Sequence, residues 1–391
     1  MKNFVIPNRY KSSIIGELKT KRKLEDPRKK DFLPNELTYN KVKFYIARHF
    51  GFCFGVENAV EIAYQTIEEN PDKNIYLLSE MIHNPDVNND LLSKGIRFLM
   101  DTKGNFLPIW EKLNKDDIVI IPAFGTTIEI ENELKSIGIN PYKYNTTCPF
   151  VEKVWNRAAT IGKSNTIIIH GKHYHEETRA TFSHTSQTAK SVIVKDLDEA
   201  KILGKIILSE DQILFEEVFN GKFTKGFNVT TDFVSIGVVN QTTMLALETV
   251  DITNYLRSIM IEKYGGNNIS FHFADTRDTL CYATNDNQES AKALLKTDSD
   301  FAIVIGGYNS SNTSHLVELL EEKFTTYFIS SAKCIINNKQ ISHFNFHSRT
   351  ELITNNFLPQ KGTINIALTC GASCPDSIVE EVINRMIDII N

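Results

Sequence analysis

Cys53, Cys148 and Cys281 stand in three separate turns, Gly51-Phe52-Cys53-Phe54-Gly55-Val56, Asn145-Thr146-Thr147-Cys148-Pro149-Phe150 and Asp278-Thr279-Leu280-Cys281-Tyr282-Ala283-Thr284. In each, an apolar run gives way to a helix-like stretch. Three lone thiolates, one per segment of similar size, suit an iron–sulfur cluster that keeps one iron open to substrate. Taken singly, each cysteine reads first as a small buried hydrophobe. Their shared context is what raises the cluster reading, because no local zinc or ferredoxin spacing connects them. Cys370 and Cys374 form a Cys-x-x-x-Cys pair, but Cys374 adjoins Pro375 at an expected helix start and no third partner is near in sequence, so neither is read as a ligand. Cys334 lies among apolar residues and is expected to be buried.

A second constellation follows an apolar run directly: His170-Gly171-Lys172-His173-Tyr174-His175-Glu176-Glu177-Thr178-Arg179-Ala180-Thr181. A carboxylic acid shielded from water can hold its proton and deliver it to a bound substrate, while histidines and cations hold an anion. A solvated polar loop would have the same composition. His83-Asn84-Pro85 adds another candidate anion donor. Gly306-Gly307-Tyr308-Asn309-Ser310-Ser311-Asn312-Thr313-Ser314 supplies glycines for close backbone approach, then hydroxyls, amides and a helix start that can ring a phosphate. Asn240-Gln241-Thr242-Thr243-Met244 and Gly371-Ala372-Ser373 repeat that chemistry. No Gly-Lys-Ser/Thr follows, so none is a Walker loop. Hydroxyl-rich caps are routine at helix starts, and each segment alone carries little. Together they suggest one polyanion held by neutral donors.

The elements that would position these groups alternate. Strands are expected at 42–47, 75–78, 118–122, 166–169, 234–239, 301–305 and 364–368, each an apolar run of buried-strand length. Helical spacing of apolar residues marks 56–67, 129–137, 151–161, 287–295, 315–322 and a final amphipathic helix through Ile390. The stretch 202–233 is poorly patterned and reads as an insertion. Such alternation indicates α/β architecture with parallel sheets, which bind ligands at the carboxyl ends of their strands. We therefore expect three small parallel-sheet modules arranged pseudo-threefold around a central cluster: 41–140 with Cys53, 141–245 with Cys148 and 246–360 with Cys281. A basic extension, 1–40, would precede them, and 361–391 would close the site.

With 391 residues the chain exceeds one ordinary core, and its 41% hydrophobic and 23% charged residues are those of a globular protein. No apolar run approaches the roughly 20 residues of a membrane helix. Pro7 and polar residues interrupt any signal core after Met1, so a cytoplasmic location is expected. Six cysteines without dense spacing argue against a secreted disulfide framework. A net charge of −5 disfavours a general nucleic-acid surface. The basic excess concentrates between Lys19 and Lys30, which reads as a solvated arm packed on the body or as a docking surface for an acidic electron carrier.

From Val42 onward the ordered motifs resemble the 4-hydroxy-3-methylbut-2-enyl diphosphate reductases, LytB-type iron–sulfur enzymes of the non-mevalonate isoprenoid pathway. The resemblance is carried by the Cys53, Cys148 and Cys281 turns with Ile82-His83-Asn84-Pro85, His175-Glu176-Glu177-Thr178, Gln241-Thr242-Thr243, Asn309-Ser310-Ser311-Asn312 and Gly371-Ala372-Ser373. It implies a [4Fe–4S] cluster on Cys53, Cys148 and Cys281, with the unique iron taking the substrate hydroxyl. It further implies that His83, His175, Thr242, Ser310, Ser311, Asn312 and Ser373 surround the diphosphate and hydroxyl, and that Glu177 carries protons. Two electrons from a ferredoxin or flavodoxin would yield isopentenyl and dimethylallyl diphosphates. Many bacterial members carry Ala-His-Gly where this chain has Ala123-Phe124-Gly125, which resembles the plant-like branch and removes one imidazole donor that Lys172 or His173 could replace. Two competing readings share the thiolates: a cluster-dependent hydro-lyase, which needs no net electrons, and a non-catalytic redox sensor or cluster carrier.

Overall fold

A computed structural model of the protein describes residues 4–28, 30–274 and 280–390. Asp278 and Thr279 of the third cysteine turn lie outside the described residues. The chain forms two compact units, each discontinuous in sequence: Met1–Glu61, Ile82–Ser93 and Tyr282–Asn391 make one, and Ile62–Met81 and Lys94–Cys281 the other.

The first unit is organised by a five-stranded sheet in the order Asn35–Tyr39, Val42–Ile46, Ile364–Cys370, Phe301–Ile305, Thr326–Ile329. The first two strands form an antiparallel hairpin, with Tyr39 opposite Val42 and Asn40 at a positive φ of 44° in the turn. The remaining pairings are parallel, Leu368 lying beside both Ile46 and Ile303. Phe301–Ile305 is buried at every position, as a strand covered on both faces should be. Helix Ser311–Glu321 packs on the three parallel strands at that end of the sheet. Asp376–Ile390 packs on Val42–Ile46 and on the N-terminal helix Ser13–Glu25. The basic extension is docked within this unit. Lys19 pairs with Asp376 at 2.6 Å, Arg9 pairs with Asp90, and the buried Tyr10 donates its hydroxyl to Asp90 Oδ2 at 2.8 Å.

The second unit holds two three-stranded parallel sheets. One runs Arg97–Phe98, Ile75–Leu77, Ile118–Ile120, and the other Ser191–Val194, Thr166–His170, Ile236–Asn240. Side chains alternate across a strand, and in the latter sheet both faces are apolar. Ile167, Ile169, Ile193 and Val239 pack with Val154, Ala158 and Ile161 of helix Pro149–Gly162. Ile168, Val192, Val194, Ile236 and Val238 face the opposite layer. This double burial is why these strands read as continuous apolar runs.

That opposite layer corrects the reading of 202–233 as a poorly patterned insertion. Helices Leu197–Ser209, Gln212–Val218 and Val229–Asp232 occupy the stretch, with Ala246–Tyr264 packed beside them. Leu203, Ile206, Ile207, Phe215, Phe219, Phe227 and Phe233 are all buried there. Helix starts at Asp196, Asp211 and Asn228 are marked by side-chain caps that accept backbone N–H groups. The helices are short and rich in aromatics, so no single apolar stripe repeats long enough to register as a helical period. Among the described residues, no helix is long and apolar enough to cross a membrane.

Candidate functional site

In the first unit, parallel strands Phe301–Ile305 and Ile364–Cys370 end side by side, and both run into glycine turns. Gly371 N–H donates to Ile305 O at 2.9 Å. A Cβ on Gly306 or Gly371 would collide with Thr313, and one on Gly307 would collide with the His83 carbonyl. The glycines therefore let three segments close on one another, as the sequence pattern requires. Ser373 Oγ donates to that same His83 carbonyl at 3.0 Å, and Cys53 N–H donates to Ala372 O at 3.2 Å. Cys53, His83 and Ser373 are thus brought to the carboxyl edge of the sheet, beside the start of helix Ser311–Glu321.

The helix start is built from neutral donors. Ser310 is its N-cap, and Oγ accepts both the backbone N–H of Thr313 at 3.2 Å and the Thr313 hydroxyl at 3.0 Å. With its acceptor capacity used, the Ser310 hydroxyl keeps its proton for another group. Ser311 and Asn312 occupy the first turn, where backbone N–H groups lack intrahelical acceptors. Asn312 Oδ1 accepts the Ala372 N–H at 2.9 Å, whereas its buried Nδ2 has no hydrogen-bond partner among the described residues. A buried donor left unmade costs about 1–3 kcal/mol, so its natural complement is a ligand oxygen. His83, Ser310, Ser311, Asn312 and Ser373 are all buried. This donor set of hydroxyls, an amide and an imidazole fits an anion that must shed its water on binding.

In the second unit, Cys148 caps helix Pro149–Gly162 with Pro149 at the first helical position and no side-chain capping bond. Its N–H donates to Ala123 O at 2.9 Å, just beyond strand Ile118–Ile120. The polar segment after Thr166–His170 is not a solvated loop. It opens helix Glu176–Ser186, whose Glu177, Thr178 and Thr181 are buried, Glu177 being 1% exposed. The Glu177 carboxylate accepts the backbone N–H of Thr242, and His175 Nδ1 accepts the N–H of Glu177 at 3.2 Å. Gln241 ties the two loops together: its Oε1 accepts Thr178 Oγ1–H at 3.0 Å and Lys172 N–H at 3.2 Å. His175, Glu177 and Thr242 therefore form one buried group at the carboxyl edge of their sheet. His173 is exposed and packs against Tyr174, while Phe124 meets the His175 ring edge to face at 5.6 Å.

Cys53, Cys148 and Cys281 share a position: each is the residue immediately before a helix, Phe54–Glu69, Pro149–Gly162 and Tyr282–Leu294 respectively. The positive end of a helix stabilises negative charge, and thiolate is the ligating form. The other cysteines differ. Cys370 and Cys374 are fully buried, and burial pushes the Cys374 thiol well above its ordinary value, so it stays protonated. Cys334 lies against Tyr308 and Ser330. None of the six forms a disulfide among the described residues. Among those residues no three His, Cys, Asp or Glu groups converge on a single-ion site, a requirement that a cluster binding each thiolate through its own iron does not impose. Thr313 and Gln241, which organise these two buried groups, entered the sequence reading within their motifs but not as site residues. Their signal was only a hydroxyl and an amide within polar strand-end segments.

Residues 44–387 match the LytB protein family, and the chain belongs to it. It is 39% identical over 361 residues to the 4-hydroxy-3-methylbut-2-enyl diphosphate reductase of Prochlorococcus marinus strain AS9601, covering 91% of this chain and 88% of that one. The chloroplastic enzyme of the same name from Botryococcus braunii is 38% identical over 362 residues, 90% of this chain and 70% of its own. Among solved structures, that of (E)-4-hydroxy-3-methyl-but-2-enyl diphosphate reductase, the terminal enzyme of the non-mevalonate pathway, superposes with a TM-score of 0.53 at 25% identity, covering 88% of this chain and 98% of that one.

Proposed function

We propose that the protein is a 4-hydroxy-3-methylbut-2-enyl diphosphate reductase, which removes the allylic hydroxyl as water and forms isopentenyl and dimethylallyl diphosphates. Support comes from one observation above the others: the residues that the motif pattern assigns to diphosphate and hydroxyl fall buried at sheet-edge turns and helix starts, with the Asn312 Nδ2 donor still unmatched. The overall change breaks one C–O bond and consumes two electrons and two protons. In this reading Cys53, Cys148 and Cys281 hold a [4Fe–4S] cluster that, when bound, supplies Lewis acidity toward the hydroxyl oxygen and electrons one at a time. The electrons come from a one-electron carrier, for which we propose a ferredoxin or flavodoxin.

The chain's own residues do the rest. His83, His175, Thr242, Ser310, Ser311, Asn312 and Ser373 bind the diphosphate and hydroxyl. Hydroxyl, amide and imidazole donors fix and orient the substrate. Glu177 gives the proton that turns the departing hydroxyl into water, and a second proton completes the product carbon. The compartment proposed is the cytoplasm, whose reducing thiol pool keeps ligand cysteines as thiols or thiolates.

The test is an anaerobic assay of cluster-loaded protein with a reduced viologen dye and the allylic diphosphate alcohol. Substrate-dependent dye oxidation giving both C5 diphosphates is expected. Turnover without any reductant would replace the reductase by a hydro-lyase, and no turnover from cluster-loaded protein would favour a carrier or sensor.

A further inference from the structure

His175 makes its bonds in a way that fixes which ring nitrogen carries the proton. It is the N-cap of helix Glu176–Ser186, and Nδ1 accepts the backbone N–H of Glu177 at 3.2 Å. A ring nitrogen that accepts a hydrogen bond has no proton, so the neutral ring carries its proton on Nε2. Protonating Nδ1 would break the cap and place positive charge at the positive end of the helix. His175 is 6% exposed, and its ring meets Phe124 at an interplanar angle of 83°. The capped amide belongs to Glu177, whose carboxylate in turn accepts the N–H of Thr242.

We infer that His175 is a positioning residue as well as a ligand contact: neutral, with its proton on Nε2, it clamps the Glu177 backbone through Nδ1 and presents a donor, never an acceptor, to an anionic ligand. The identity of the ligand rests on the reductase reading; the cap and the tautomer do not.

Two substitutions separate the two nitrogens. In His175→Asn the side-chain oxygen takes the place of Nδ1, and asparagine is a strong N-cap. In His175→Gln the amide nitrogen reaches toward the place of Nε2, and the cap is lost. Both are compared with the wild-type holoenzyme by hydrogen–deuterium exchange of the peptide spanning 175–182 and by steady-state kinetics with the allylic diphosphate. The asparagine variant should keep exchange within about threefold of wild type and lose mainly in KM. The glutamine variant should exchange at least about tenfold faster and lose mainly in kcat, because Glu177 is no longer held. Equal exchange in the two variants, or the reverse kinetic split, would overturn the inference. If wild type fails to turn over the diphosphate, the reductase reading fails, and the exchange comparison still decides whether Nδ1 is the cap.

Discussion

Glu177 and Asn312 each hold one bond that an altered side chain could keep while losing the function assigned to it. In Glu177→Gln the side-chain oxygen can still accept the Thr242 amide, but the acidic proton is gone. We expect kcat to fall by about 100-fold or more with the cluster absorbance intact, and near-normal kcat would remove Glu177 from the acid role. In Asn312→Asp the bond from the Ala372 amide survives, whereas the Nδ2 donor is replaced by negative charge. KM for the diphosphate should rise by about tenfold to 100-fold, the scale of a hydrogen bond to a charged group, and an unchanged KM would separate Asn312 from the anion. At this scale the candidate site was proposed from sequence, because glycines, hydroxyls and cysteines at strand ends are rare enough in combination to point to chemistry. What sequence could not give was orientation. That His175 caps with Nδ1, or that Ser310 spends its lone pairs on Thr313, is decided by backbone geometry that residue type does not encode.

Among the elements, the aromatic layer of Leu197–Asp232 makes the sharpest stability prediction. Phe219 is fully buried and lies 5.6 Å from the Phe215 ring. Phe219→Ala should destabilise the protein by about 3–5 kcal/mol, read from denaturant midpoints; a loss under about 1 kcal/mol would mean the layer is not part of the core. A second prediction concerns pH. Burial holds His184 below its ordinary value of 6.5; its ring stacks on Trp155 at 3.8 Å, and Nε2 bonds the Thr126 carbonyl at 3.1 Å. The unfolded chain takes up a proton as pH falls through 6.5, while the folded chain resists until lower pH, so acidification below about 6.5 favours unfolding through this group. Melting temperatures from pH 7.5 to 5 should fall less steeply in His184→Gln than in wild type, and equal slopes would contradict the assignment. Strands such as Thr166–His170 were readable because both faces are apolar. Helix Glu176–Ser186 was not, because Ala180 and Phe182 are its only apolar residues and set no helical period.

For the molecule as a whole, local periodicity named the strands but not their partners. Val42–Ile46 pairs with Ile364–Leu368, at the far end of the chain, so the sheet that carries Cys53 also carries Ser310 and Ser373. A parallel pairing can join strands at any sequence distance, and nothing in an apolar run encodes its neighbour. Cys53, Cys148 and Cys281 each stand immediately before a helix. The central claim is that these three thiolates, and not the remaining three, hold one [4Fe–4S] cluster. Its most direct test is iron and acid-labile sulfide content after anaerobic reconstitution of six single Cys→Ser variants. Four irons per chain in wild type should be retained when Cys334, Cys370 or Cys374 is replaced and fall sharply when Cys53, Cys148 or Cys281 is replaced. Full iron in any of those last three variants, or its loss in any of the first three, would contradict the account.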